Sequence, residues 1–156
     1  MIRSIERQQL AHAPLERVFE FFSHTRNLEE LTPPWLRFSV LTPEPLALRA
    51  GTLIEYRLRV HGVPLRWVSR IEEWQPGRRF VDRQLRGPYR LWCHTHEFAA
   101  DPRGTLIRDS VRYELPLGPL GALAHAAIVR RDLERVFDYR QQQVERRFGA
   151  GVQTES

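Results

Sequence analysis

The chain of 156 residues contains no lysine; all 24 of its basic residues are arginines. That absence excludes Schiff-base chemistry, a P-loop lysine on phosphate and a lysine general base. Cysteine occurs once, at Cys93, so no disulfide forms within the chain, and neither CxxC nor HExxH metal spacing is present. No apolar run approaches the roughly 20 residues that a membrane-spanning helix needs. An isolated thiol and a start without signal-peptide character are what a cytoplasmic protein would show. Asparagine also occurs once, at Asn27. Together with the missing lysine it has the look of a GC-rich codon bias, which weakens the net charge of +5 and the pI near 10.3 as signs of an anionic partner.

What is present is ordinary for a globular chain, 42% hydrophobic and 28% charged, which excludes disorder and a disulfide scaffold. The length predicts one domain over residues 1–148 with a disordered tail over 149–156. Ile2 to Leu10 reads as a first strand. Pro14 then opens a helix whose Leu15, Val18, Phe19 and Phe22 fall at i, i+3, i+4 and i+7, and a further turn near Asn27 to Leu31 stops at Thr32-Pro33-Pro34. From Trp35 to Leu115 the period is two, with turn signals at Pro43 to Pro45, Gly51, His61-Gly62, Pro76-Gly77, Gly87-Pro88 and Asp101 to Gly104, which predicts six strands. Ile54, Tyr56, Leu58 and Val60 share an inner face against Glu55, Arg57 and Arg59, and Leu65, Trp67 and Ile71 repeat it against Arg66, Arg70 and Glu72. After Pro119 the period returns to 3.6, predicting a helix over 119–148 with Leu120, Leu123, Ala124, Ala127, Ile128, Leu133, Val136, Phe137, Val144 and Phe148 on one side. Small residues crowd its first half (Gly121, Ala122, Ala124, Ala126, Ala127), which leaves room for a ligand above the sheet.

Strand, two short helices, six strands and one long helix is the order of the helix-grip fold, an α+β architecture in which a curved seven-stranded antiparallel sheet wraps the C-terminal helix. The stretches Pro14 to Phe19 with Phe22, Asn27-Leu28, Leu31-Thr32-Pro33 and Trp92-x-His-x-His-x-Phe98 resemble those of bacterial ligand-binding members of the SRPBCC superfamily, over about residues 3 to 148. That superfamily includes START lipid-transfer domains, polyketide cyclases and birch-pollen-allergen-like proteins. The resemblance implies a hydrophobic cavity between sheet and last helix for a lipid, isoprenoid or polyketide-like molecule, with catalysis optional.

Polar groups recur on the faces expected to point inward. With Phe98 as interior anchor, Trp92, His94 and His96 share its face; a bulge would instead bury Leu91 and Cys93, and both registers are open. Phe80 brings Asp82 and Gln84 with it, leaving Val81 and Leu85 outside. Asp109 interrupts the apolar row Ile107, Val111, Tyr113, and an imidazole of His94 or His96 is its natural partner. Three readings stand: a patch of Asp82, Gln84, His94, His96, Asp109 and Tyr113 orienting a ligand, an acid/base site of His94, His96 and Asp109, or a satisfied structural network. Tyr56, Leu58, Trp67, Phe80, Trp92, Phe98, Val111, Ala124 and Ile128 are the predicted apolar lining, and Thr32 to Ala50 a mouth loop. His94-x-His96 with Asp109 is a weak metal pattern, so neither metal nor cofactor is expected. Arginines on the outer sheet face (Arg57, Arg59, Arg66, Arg70, Arg79, Arg83) are interleaved with Glu55, Glu72 and Glu73, which fits a solvated face better than a ribosome- or RNA-binding one.

Overall fold

Strand β1 (Arg3–Ala11) ends three residues before Pro14, whose extended backbone (φ −60°, ψ 149°) turns the chain into helix α1 (Leu15–Phe22). A computed structural model describes residues 1–44, 47–116 and 119–149. Val18, Phe19, Phe21 and Phe22 are buried, so α1 is held by its apolar side rather than by a side-chain cap. Helix α2 (Asn27–Leu31) follows; Asn27 donates from Nδ2 to the Phe21 carbonyl at 2.8 Å, and Thr32 ends the helix in extended conformation before Pro33.

The rest of the sheet is a meander: β2 (Ser39–Val40), β3 (Leu53–Val60), β4 (Val63–Gln75), β5 (Arg79–Arg86), β6 (Leu91–Asp101) and β7 (Gly104–Glu114). Every pair is antiparallel, and β1 closes the far edge beside β7, giving the order β1-β7-β6-β5-β4-β3-β2. Register breaks at Val68/Ser69 and Ile71/Glu73 bend the long β4, as bulges do. Helix α3 (Pro119–Phe148) packs across the inner face. β1 ties it down through Arg7 to Asp138 (2.6 Å) and Gln9 to the Gln141 carbonyl (2.8 Å). Near the opposite edge, His61 in the β3–β4 turn meets Asp132 at 2.7 Å.

The core divides into three apolar groups. Phe19, Phe22, Phe80, Phe98, Val144 and Phe148 fill the space between α1, the sheet and the end of α3. Ile5, Val111, Tyr113, Leu133 and Phe137 fill the middle of α3, and Ile54, Tyr56 and Ile71 lie under β3 and β4.

Three sequence expectations need correction or limits. The buried line of α3 runs through Ala126, Leu133, Phe137, Val144 and Phe148, a phase that leaves Ile128 52% and Leu123 80% exposed. Ile128 therefore does not line the interior; Val129, one position on, packs there instead. Val81 was expected outside, yet it is only 7% exposed, because β5 is flanked on both sides and Val81 lies between Glu73 and Thr95. The side chains of Leu120 and Ala124, with Pro45, Leu46 and the tail from 150 on, lie outside the described residues.

Gly104 opens β7 with φ +147°, and a Cβ there would strike the Ala11 carbonyl and the Ala13 backbone nitrogen at the end of β1. Gly77, also at positive φ (+71°), faces open space. Gly104→Ala is expected to cost about 3 kcal/mol or more, because rigid backbone must move, whereas Gly77→Ala costs about 1 kcal/mol in the left-handed turn alone. Urea unfolding of both variants checks this; equal losses would contradict the role of the close approach.

Candidate functional site

Alternation places four titratable side chains on the inner face of three adjacent strands: Asp82 on β5, His94 and His96 on β6, Asp109 on β7. His94, His96 and Phe98 are buried while Leu91 and Cys93 are half-buried, which settles the β6 register in favour of the histidine face. The pairing is crossed. His94 lies opposite Asp82, yet its Nε2 bonds Asp109 Oδ1 at 2.8 Å; His96 lies opposite Asp109, yet its Nε2 bonds Asp82 Oδ2 at 2.7 Å. The two imidazoles consequently stack, with centroids 3.6 Å apart, and Phe80 stacks on the other face of His96 at 4.1 Å.

A fifth member arrives from α3. Arg140, whose side chain is 12% exposed, sets Nη2 3.5 Å from Asp109 Oδ1 and 3.4 Å from His96 Nδ1. Sequence reasoning missed it, although a signal was present: Arg140 falls at i+3 from Phe137 and i−4 from Val144, on the buried line of the helix. His96 Nδ1 also lies 3.4 Å from Asp109 Oδ1, but the shorter contact of Nε2 with the Asp82 carboxylate needs a donor, which puts the proton on Nε2 and turns the Nδ1 lone pair toward Arg140.

Electrostatics agree with that assignment. Burial first, then the neighbouring His94, pulls His96 from its ordinary 6.5 down to about 4, against the opposing pull of Asp82 and Asp109. Burial opposes ionisation of Asp109 too, but Arg140 and the His94 hydrogen bond outweigh it and hold the carboxyl below its usual range. Asp82 is likewise held down, burial being overcome first by the His96 hydrogen bond and then by the surrounding basic groups, Arg140 among them. The resting cluster thus contains two carboxylates, a guanidinium and a neutral His96 with both ring nitrogens engaged. His94 spends Nε2 on Asp109, and no hydrogen bond occupies its Nδ1 among the described residues.

Asp82, His94 and His96 offer ligand atoms within 4.8 Å of one another. A cation placed there would have to displace the Asp82–His96 bond next to a fixed guanidinium, so the donor set fits the ion-pair network better than a metal.

The remaining predicted residues divide. Gln84 does not join the cluster: its Nε2 donates to the Tyr89 carbonyl at 2.7 Å and its Oε1 accepts from the Tyr89 amide at 3.1 Å, so it clamps the β5–β6 loop. Trp67, Tyr89, Trp92 and Tyr113 form an aromatic group, with Trp67 5.2 Å from Trp92 and 5.7 Å from Tyr89. Tyr56 and Leu58 are buried on β3, and Phe98 and Val111 lie in the two apolar clusters on either side of the charged network. Two surface concavities lie away from this network: about 570 Å³ beside Ala47 to Leu53, and about 300 Å³ between Arg3 and the α3 segment Leu123 to Glu134. On the outer sheet face Arg66 pairs with Glu55, Arg70 with Glu72, and Arg79 with Glu73 and Glu97.

Known proteins share both the sequence pattern and the shape. Residues 3–149 match the family described as "Polyketide cyclase / dehydrase and lipid transport". The structure is similar to protein CV1439 from Chromobacterium violaceum (TM-score 0.72, 17% identity, covering 95% of this chain and 98% of that one). It is similar to the Zhui aromatase/cyclase from Streptomyces sp. R1128 (TM-score 0.72, 17% identity, 92% of each chain). It also resembles part of a nucleoside-diphosphate sugar epimerase from Corynebacterium glutamicum, with TM-score 0.61 and 25% identity over 90% of this chain and 28% of that one. No curated protein matches the sequence. With nearly the whole chain matched, and with a curved antiparallel sheet gripping a long terminal helix, the protein belongs to this polyketide cyclase, dehydrase and lipid-transport family of the SRPBCC superfamily.

Proposed function

We propose that the protein binds a small hydrophobic ligand, of lipid, isoprenoid or polyketide type, between its sheet and α3, as a carrier or sensor. The observation that carries this reading is the buried network of Asp82, His94, His96, Asp109 and Arg140, set between two apolar clusters on the inner face. Buried ion pairs stabilise a fold no better than apolar packing of the same volume, whereas a few fixed polar groups in an apolar bed are what orient a ligand. The family description and the cyclase among the structural neighbours support the same reading. The ties that hold α3 at its flanks, Arg7–Asp138 and His61–Asp132, are exposed pairs of small worth, so the part of the helix before the buried Arg140 can yield to a ligand. The single free thiol suits a reducing cytoplasm. No described helix is long and apolar enough to cross a membrane. The paired outer-face arginines argue against nucleic acid as the partner.

A second reading rests on the His94–Asp109 pair. Asp109 fixes the Nε2–H tautomer of His94 and leaves Nδ1 as a base, which suits enolisation of a ketone in a cyclase or dehydratase. His96, with both nitrogens engaged, is then a positioning residue.

Native and denaturing mass spectra of freshly purified protein test the first reading. An adduct of small-molecule mass, present in the native spectrum and lost on denaturation, is expected; a bare chain that also ignores a panel of lipids and polyketides would contradict it. For the second, wild-type protein in D₂O is expected to speed exchange of the methyl protons of 2-acetylnaphthalene, followed by NMR. His94→Gln should cut that rate about 100-fold with affinity unchanged within about twofold, and an unaltered rate would remove His94 as the base.

Acid provides an independent check on the network. Folded His96 takes its proton near pH 4 and an unfolded one near 6.5, so between these values the unfolded chain binds more protons and stability falls as pH falls. Asp82 and Asp109, held below 3.8 when folded, extend the loss below that value. Urea unfolding should therefore show a loss on the order of 2 kcal/mol between pH 7 and pH 4.5 from His96. His96→Gln should flatten that slope; the same slope in the variant would contradict a neutral His96.

A further inference from the structure

The fully buried Tyr113 (0% exposed) carries the one tyrosine hydroxyl that is closed to water without a hydrogen-bond partner among the described residues. Native proteins satisfy nearly all such groups, and phenylalanine would fill the same volume without leaving a donor unpaired. Tyr113 sits on β7 directly opposite Trp92, two inward positions beyond Asp109. Its ring meets Tyr89 edge-on at 5.9 Å and Trp92 at 6.5 Å, and Trp67 continues the aromatic surface. On the helix side the group packs against Val129 and Leu133, and one turn earlier the buried residue is only an alanine, Ala126.

We propose that Tyr113 is the donor of an acceptor-specific site for a neutral, planar, apolar molecule bearing a ketone, quinone or ether oxygen, stacked against Trp67, Tyr89 and Trp92. This deepens the ligand-binding reading and rests on it. Flat aromatic walls select a flat partner. The hydroxyl selects an oxygen that accepts, and discriminates against a hydrocarbon of the same shape because the donor is otherwise left unpaired. Charge selects neutrality. Burial foremost, then Tyr113 and Asp132, pushes the Tyr89 phenol well above its ordinary value, so the group stays protonated beside a carboxylate. The guanidinium on the inner face, Arg140, is already taken by Asp109 and His96. A carboxylate ligand would thus find Arg140 already committed, while Asp132, engaged by His61 at 2.7 Å, adds negative charge on the helix side.

Three probes of one size separate these features: 2-acetylnaphthalene, 2-ethylnaphthalene and 2-naphthoate, each titrated calorimetrically into the full chain. Wild-type protein is expected to bind the ketone about fivefold to tenfold more tightly than the hydrocarbon, and more tightly than the anion. Tyr113→Phe should erase the preference for the ketone, keep the hydrocarbon affinity within about twofold, and melt at or above the wild-type temperature. Equal binding of ketone and hydrocarbon by wild type, a preference that survives in Tyr113→Phe, or a lower melting temperature in the variant would each overturn the Tyr113 site alone. Tighter binding of 2-naphthoate overturns the neutral ligand class. Failure of all three probes to bind the folded protein overturns the planar-ligand site, and the interior-ligand reading beneath it falls only if the lipid and polyketide panel fails as well.

Discussion

The guanidinium of Arg140 against the carboxylate of Asp109, 3.5 Å apart with both nearly closed to water, sets the terms for everything around it. Two carboxylates lie on the inner face of the sheet, and without a permanent cation one of them would have to protonate or move to solvent. The arginine that prevents this comes from α3, so the charge balance of the sheet and the docking of the helix are the same event. Rotating α3 by one residue position would carry Arg140 off the carboxylate and strand four ionisable groups in an apolar layer.

The crossed pairing distributes that constraint over three strands. Because each histidine bonds the carboxylate diagonal to it, β5, β6 and β7 are linked by side chains as well as by their backbone ladders, and the imidazoles are forced into a stack. Stacked imidazoles tolerate one positive charge far better than two, which favours the neutral His96 that Arg140 also demands. On one side of the network lie the phenylalanines of α1 and the end of α3; on the other lies the aromatic group around Tyr113. A rigid polar partition between two apolar compartments gives the interior a direction.

Much of this was legible in the residues. Period two fixed the faces of β3 and β7, and the prolines at 14, 33 and 34 marked the ends of the first helices within a residue or two. Asp109 stood out because a carboxylate interrupting Ile107, Val111 and Tyr113 needs a partner nearby, and the partner is His94. What could not be read follows from physics that crosses between elements. The phase of α3 at Ile128 is not legible because small residues in the helix's first half give the apolar stripe no edge, and the buried line is set by Leu133 and Phe137 further on. Gln84 lies on the right strand, but the loop it clamps claims both ends of its amide. Val81 is buried by its position in the middle of a sheet rather than by its own face.

The pairing of β1 with β7 has a consequence for how the molecule comes into being. Arg3 and Tyr113 are ladder partners, and Arg7 reaches across 131 residues to Asp138. Contacts so distant along the chain make folding slow and late, since loop closure must precede any gain from them. A nascent chain emerging from its N-terminus would therefore hold β1 unpaired through the synthesis of six further strands. Only when Arg140 has been made can the carboxylates on β5 and β7 be closed off from water, so the interior closes in one late step.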